Sequence, residues 1–140
     1  MYTSCRLCIN DHIIAKFGQT LKAKCEFFKV FSLLPGFEAS SALFRHEIAY
    51  VFGQLAHPAS EPALTATLNN TSEHGMVRHE CAEALGAVAT QTCMKTLEKY
   101  LSDKDPVVRE SCEVALDMAE YKMSGDFQYA NTIELMITEK

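Results

Sequence analysis

Apolar residues recur at helical spacing in three related segments of the chain. The segments are LFRHEIAYVFG from Leu43, MVRHECAEALG from Met76 and VVRESCEVALD from Val107. In each segment, apolar residues fall at positions i, i+4, i+7, i+8 and i+11, the spacing of a helix stripe that packs against neighbouring helices. The predicted stripes are Phe44, Ile48, Val51, Phe52 and Leu55; Val77, Cys81, Ala84, Leu85 and Val88; and Val108, Cys112, Ala115, Leu116 and Ala119.

The three segments follow one another at intervals in the low thirties of residues, which is the length of a two-helix repeat. Residues 61–68 and 92–101 have the length and residue types of the second helix of each pair. Ser41 and Asp105 are good N-caps for the first helices, and His74 is a weaker one. The pattern therefore predicts an all-α fold, an α-solenoid of helix pairs.

Three regions of the chain differ in pattern. Residues 1–39 do not join the repeats, and their Phe-rich stretch KCEFFKVFSLLPGF predicts capping helices that cover the first repeat. Residues 40–123 hold the repeats. Residues 124–140 are predicted to form a loop at Ser124 and Gly125 and then a short helix or tail.

The composition predicts one soluble domain. The chain has 140 residues, 48% apolar and 22% charged, and its net charge of −5 argues weakly against nucleic acid and favours a cationic or basic partner. We expect no membrane segment and a cytoplasmic location, because no apolar run reaches the roughly 18 residues of a span and no signal-peptide pattern precedes the six cysteines. Cys5, Cys8 and His12 have a zinc-like spacing without a second ligand pair, which favours simple thiols.

Two His-Glu pairs, His46-Glu47 and His79-Glu80, occupy the same position in successive repeats. The helical phase points His46 almost opposite to the apolar stripe. A single such pair is ordinarily solvated, but its recurrence in register indicates a shared site. A cation between helices that pack 8–10 Å apart would lie about 5 Å from each axis, within reach of an imidazole and a carboxylate. Two histidines and a carboxylate favour iron, although zinc also fits.

Other residues recur around the two pairs. Gly53 and Gly86 follow the histidines by seven residues, which indicates either space for a substrate or close helix packing. The third repeat has lost both features, and carries Glu110, Ser111 and Asp117 in these places. An arginine precedes the pair in all three repeats, which predicts structural ion pairs with acids of the adjacent helix; these are Arg45, Arg78 and Arg109.

At these residues the sequence resembles a known family. LFRHEIAYVFGQL, MVRHECAEALGAV and VVRESCEVALDMAEY are similar to the C-terminal half of deoxyhypusine hydroxylase, a HEAT-repeat di-iron monooxygenase, over roughly residues 41–129. The resemblance implies HEAT-like repeats, Fe2+ as cofactor and dioxygen as co-substrate. It implies a protein substrate, the deoxyhypusine form of eukaryotic translation initiation factor 5A, whose modified lysine is hydroxylated to hypusine.

The same resemblance implies the roles of the site residues. It makes His46, His79 and Glu80 metal ligands. It makes Glu47 either a further metal ligand or a catalytic residue that orients the cationic amine of the substrate. Glu83 would add to an acidic cleft.

The family holds two irons with four His-Glu pairs, whereas this sequence has two pairs. Three interpretations stay open: a partial or misassembled gene product, a half-enzyme that forms a homodimer to rebuild two iron sites, or a chain that keeps the fold without the activity. The rival from another functional class is a non-catalytic HEAT-repeat scaffold whose concave face binds a protein segment.

Overall fold

The computed structural model describes residue 25 and residues 27–124, and within these residues it contains helices and no strand. Helix α1 comprises residues 27–33 and is followed by a 3-10 helix, Leu34–Glu38. The remaining elements are α2 (Ala42–Leu55), a 3-10 helix (Pro58–Ser60), α3 (Glu61–Asn69), α4 (Gly75–Val88), α5 (Gln91–Lys99) and α6 (Pro106–Ser124). The all-α prediction is confirmed, and α3 and α5 lie within two residues of the predicted second helices.

Helix α4 lies at the centre of the fold. It packs against α2 on one side and α6 on the other, so that these three helices form one layer. Helices α3 and α5 contact each other and α4, and α5 also contacts α6. The arrangement confirms an α-solenoid of helix pairs.

The apolar stripes of α4 and α6 lie in the core, whereas that of α2 does so only in part. In α4 all five predicted stripe residues are buried, and in α6 only Leu116 remains half-buried. In α2 the prediction is wrong for Phe44 and Val51, which are exposed, whereas Ile48 and Phe52 are buried. The reason is that, among the described elements, none covers this side of α2.

Side-chain caps set the starts of the three long helices. Ser41 Oγ accepts a hydrogen bond from the Phe44 amide at 3.3 Å, and Asp105 Oδ1 accepts one from Val107 at 3.0 Å. His74, the cap expected to be weaker, accepts from the Met76 amide through Nδ1 at 3.2 Å. Equivalent caps start α2 and α4 at equivalent residues, so the two His-Glu pairs lie in the same turn of their respective helices.

The segment before α2 packs onto the first repeat. Val30 is fully buried, and the Phe37 ring stacks on Phe52 with the ring centroids 5.5 Å apart. The division at residues 39 and 123 stays a prediction, since residues 1–24 and 125–140 lie outside the described part. The Cys5, Cys8 and His12 pattern lies outside it too. No helix in residues 27–124 is both long and apolar enough to cross a membrane.

Candidate metal centre

Three side chains converge between α2 and α4. His46 comes from α2, and His79 and Glu80 come from the equivalent turn of α4. Glu80 Oε2 lies 3.1 Å from Nε2 of His46 and 3.6 Å from Nε2 of His79. The two imidazole rings stack, with centroids 5.8 Å apart and planes inclined by 28°.

The spacing of these atoms fits a metal ion. One ligand atom from each residue can be chosen so that all lie within 4.8 Å of one another. A cation with bonds of about 2.1 Å holds its ligand atoms about 3 to 3.5 Å apart, and the two distances to Glu80, 3.1 and 3.6 Å, are close to this range. Two imidazole nitrogens and one carboxylate oxygen leave coordination positions open, as in non-haem iron sites and catalytic zinc sites.

The other nitrogen of each ring faces an oxygen atom. Nδ1 of His46 lies 3.3 Å from Glu47 Oε1. Nδ1 of His79 lies 3.0 Å from Ser111 Oγ and 3.2 Å from Glu83 Oε1. Because an ionised carboxylate only accepts hydrogen bonds, Glu47 and Glu83 can stabilise a proton on Nδ1, while Glu80 competes for a proton on Nε2. With the proton on Nδ1, the lone pair is on Nε2 and is directed at the metal position.

Glu80 is the most buried of the three candidate ligands. Burial raises the pKa of Glu80, and the imidazoles of His46 and His79 partly oppose this shift. In their metal-binding states all three facing atoms are acceptors, so a proton or a cation must lie between them. The chemistry of the donor set therefore suits a bound cation.

The structure brings together three of the four residues predicted for the site. Glu47 is not part of the group: its side chain is 58% exposed, and it contacts His46 at Nδ1, away from the metal position. Its role as ligand or substrate-orienting residue stays a prediction. The exposed carboxylate of Glu47 and the half-buried one of Glu83 lie at the edge of the centre.

Sequence reasoning missed Ser111. In the alignment of the repeats, Ser111 stands where the first two repeats carry Glu47 and Glu80. Glu80 contacts the histidine of the preceding repeat, and Ser111 does the same to His79. The signal was present in the alignment, which shows that the third repeat keeps a polar residue at this position.

The two glycines allow close helix packing. A methyl carbon added at Gly86 would lie 2.7 Å from the carbonyl oxygen of Ala115, and one added at Gly53 would lie 3.3 Å from Cα of Ala84. Of the two sequence interpretations, the structure supports close packing at both positions and offers no substrate space there.

Two of the three repeated arginines form ion pairs, as predicted, whereas Arg109 donates a hydrogen bond to the backbone carbonyl of Asp103 at 3.2 Å. Arg45 binds Glu73 at 2.6 Å and Arg78 binds Asp103 at 2.5 Å. The predicted location of the acids was wrong: both lie in the loops that precede α4 and α6 rather than in the helices. There each carboxylate also accepts a backbone hydrogen bond near the start of the next helix.

The chain matches a known family of helical repeat proteins. The model of HEAT repeats matches residues 32–117, which is more than half of the chain. The chain belongs to the HEAT-repeat family. This assignment confirms the HEAT-like interpretation of the helix pairs.

Within the HEAT-repeat family, the chain is similar to proteins named deoxyhypusine hydroxylase. It is 58% identical to that of Mus musculus over 103 residues, covering 74% of this chain and 34% of the relative. It is 47% identical to that of Drosophila pseudoobscura pseudoobscura over 131 residues, covering 94% of this chain and 43% of the relative. The resemblance stated from the sequence is confirmed.

A solved structure agrees with these relatives. Human deoxyhypusine hydroxylase in complex with glycerol matches with a TM-score of 0.64 and 54% identity, covering 66% of this chain and 32% of that chain. The HEAT-repeat chain described here thus spans about a third of the length of several of these proteins.

Proposed function

We propose that this chain carries an iron site of a deoxyhypusine hydroxylase. The observation that carries the proposal is the convergence of His46, His79 and Glu80 in a chain similar to proteins of that name. Two histidines and one carboxylate with open coordination positions are the ligand set of non-haem iron oxygenases. Iron bound there would supply the activation of dioxygen for hydroxylation.

The residues around the ligands would prepare the site. Glu47 and Ser111 each hold the Nδ1 edge of one imidazole, which leaves Nε2 free to bind. Burial raises the pKa of Glu80, and a bound cation would stabilise its carboxylate. Helices α2 and α4 already hold the ligand atoms within 4.8 Å of one another, so the ligands would need little rearrangement on binding.

The charges at the edge of the site suit a cationic substrate. Glu47 and Glu83 expose carboxylates beside the two histidines, and the chain as a whole has a net charge of −5. An extended side chain that carries amines would be attracted to this edge and oriented by it. We therefore propose Glu47 as the residue that orients the substrate amine, with Glu83 in support.

The proposed substrate is the deoxyhypusine form of eukaryotic translation initiation factor 5A, and the proposed compartment is the cytoplasm. Cys81, Cys93 and Cys112 are buried thiols without a disulfide, a state that a reducing compartment maintains. The two-iron arrangement implied by the resemblance needs a second set of ligands. A homodimer would supply one, and sedimentation of the iron-loaded chain tests for it.

Metal binding is the first test. The chain is loaded anaerobically with Fe2+ and the metal per chain is measured for wild type, for His46→Ala with His79→Ala, and for His57→Asn with His74→Asn. The last variant removes two histidines outside the group while keeping a capping side chain at each position. We expect the control to retain iron and the first variant to lose it. Equal retention by all three would contradict the metal site.

Turnover separates the enzyme from the scaffold. The iron-loaded chain is incubated with dioxygen, a reductant and deoxyhypusine-containing factor 5A, and the gain of one oxygen atom is followed by mass spectrometry. Factor with an unmodified lysine is the control substrate. Hydroxylation that is lost in the His46→Ala with His79→Ala variant supports the proposal. Binding of the factor without iron and without turnover would support the scaffold instead.

A further inference from the structure

Ser111 contacts the candidate metal centre from a third helix. It lies on α6, is almost completely buried, and places Oγ 3.0 Å from Nδ1 of His79. It is the third-repeat equivalent of Glu80, which reaches across to His46 in the same register. A repeat that supplies no residue to the His46, His79 and Glu80 group therefore still contacts it.

We infer that Ser111 is a positioning residue for His79. Its hydroxyl oxygen accepts a hydrogen bond from Nδ1–H. This bond fixes the orientation of the ring and the tautomer that leaves Nε2 free for a metal. The inference deepens the proposed function and rests on the metal site proposed there. It extends that site from the α2–α4 interface to the α4–α6 interface.

The tautomer of His79 is what links Ser111 to the metal. A neutral imidazole carries one proton, and it binds a metal through Nε2 only when that proton is on Nδ1. An Nδ1–H on this half-buried ring needs an acceptor, because leaving it unsatisfied is unfavourable. Without such an acceptor, the proton on Nε2 bonded to Glu80 becomes the favoured state, and that tautomer blocks the metal.

Two acceptors are near Nδ1 of His79, and they differ in rigidity. Glu83 Oε1 lies 3.2 Å away, but its side chain is 43% exposed and has three rotatable bonds. Ser111 has one rotatable bond and is enclosed between α4 and α6. Holding the short buried side chain in place requires less loss of conformational entropy, so Ser111 is the acceptor that defines the ring position.

The first measurement needs no metal. In the metal-free chain, the 13C and 15N chemical shifts of the His79 ring, assigned with a His79→Gln variant, report which nitrogen carries the proton. We expect Nδ1–H in wild type and in Ser111→Thr, which keeps the hydroxyl. In Ser111→Ala we expect a larger Nε2–H population. An unchanged tautomer in Ser111→Ala overturns the inference.

The second measurement is a calorimetric titration with Co2+. Loss of a hydrogen bond that supports a ligand typically weakens metal binding 10–100-fold, and we expect Ser111→Ala to fall in this range while Ser111→Thr stays close to wild type. Ser60→Ala is the matched control, since Ser60 is also buried but bonds the His57 carbonyl away from the site. Glu83→Ala should weaken binding less than Ser111→Ala does.

These results separate the inference from the function on which it rests. If wild type binds no Co2+, the proposed metal site fails, and the tautomer measurement alone decides the role of Ser111. If wild type binds and Ser111→Ala binds equally well, the metal site stands and the role of Ser111 is refuted. Urea unfolding of each variant shows whether a loss of binding comes from a loss of fold.

Discussion

The two interfaces of α4 are built on the same register but differ in what they hold. Against α2, α4 presents Glu80 to His46; against α6, it presents His79 to Ser111. The packing differs as well. A methyl carbon at Gly53 would approach α4 to 3.3 Å, whereas one at Gly86 would approach α6 to 2.7 Å. The α4–α6 interface is the more closely packed, and the α2–α4 interface carries the charged group.

This difference shows how one repeat geometry can hold either a charged side chain or a neutral one at the same register position. A carboxylate facing an imidazole inside an interface is unfavourable without a proton or cation between them. Such a pair favours the binding of a cation and does not stabilise the metal-free interface. A hydroxyl in the same position satisfies the imidazole and allows the helices to pack closely. In the proposed site, the residue at this single register position would decide whether an interface supplies a metal ligand or supports one.

The largest expected effect concerns the ion pairs at the ends of the two interfaces. Arg78 on α4 and Asp103 before α6 are 6% and 10% exposed, whereas Arg45 on α2 is 16% exposed. We expect Asp103→Asn to lower the free energy of unfolding by about 3 kcal/mol, because it leaves a buried cation unpaired. Glu73→Gln should lower it less. Urea unfolding at neutral pH measures both.

The pH dependence of these variants has a defined sign. Hydrogen bonds from arginine lower the pKa of Asp103 and of Glu73 in the folded chain. The stability they contribute is therefore present above the unfolded pKa of about 4 and is lost as the pH falls through the lowered pKa. The difference between wild type and Asp103→Asn should shrink in acid. A difference that is constant from pH 7 to pH 3 would show that the charge is not the cause.

The second prediction concerns a substitution of Glu80, the residue that distinguishes the two interfaces. Glu80→Ser gives the α2–α4 interface the hydroxyl found at α4–α6, and we expect the affinity for Co2+ to fall at least about 100-fold, beyond the usual effect of losing a supporting hydrogen bond. Glu110→Ser is the control, because Glu110 is exposed on α6. Equal affinity of Glu80→Ser and wild type would mean that the metal is held elsewhere.

The third prediction compares the packing of the two interfaces. Gly86→Ala should lower the free energy of unfolding by about 2 kcal/mol, because the added methyl group meets the backbone of Ala115 and outweighs the gain in helix propensity. Gly53→Ala should lie within about 0.5 kcal/mol of wild type, since its contact with Ala84 is looser and the two effects nearly cancel. If the two variants are destabilised equally, the interfaces do not differ in closeness.

The repeats predict the fold, but they identify only some of the residues at the site. Helical phase identifies the residues on one face, and it placed the α4 stripe and all of the α6 stripe except Leu116 in the core. It gave Phe44 and Val51 the same role in α2, since phase does not tell whether a neighbouring helix is present.

The site shows the same limit. Recurrence identified His46, His79 and Glu80 as candidates, but it could not tell that Glu80 faces the preceding histidine while Glu47 turns outward. That pairing depends on how far α4 is shifted along α2, a property of the packed helices. The role of Ser111 could not be predicted for the same reason, because it depends on the imidazole of His79 that lies opposite in the packed helices.

The smallest expected effect tests whether the Glu80 carboxylate destabilises the α2–α4 interface when no metal is bound. Burial raises the pKa of Glu80 in the metal-free fold, so the folded chain binds more protons than the unfolded chain at pH values above about 4.5. Stability from this residue is present in acid and is lost as the pH rises through the raised pKa. Glu80→Gln, measured in a chelator, should therefore be more stable than wild type at neutral pH, by at most about 1 kcal/mol.

The advantage of Glu80→Gln should disappear as the pH falls, and it should reverse when Co2+ is added, because only wild type gains stability from binding the metal. Ser111→Ala provides the contrast from the other interface: its effect on stability should not follow this pH dependence, since a hydroxyl carries no charge to lose. Thermal unfolding at pH 4.5 and pH 7.5, with chelator and with Co2+, measures all three proteins. If Glu80→Gln is less stable than wild type in chelator at neutral pH, the carboxylate stabilises the metal-free interface and the contrast between the two interfaces is wrong.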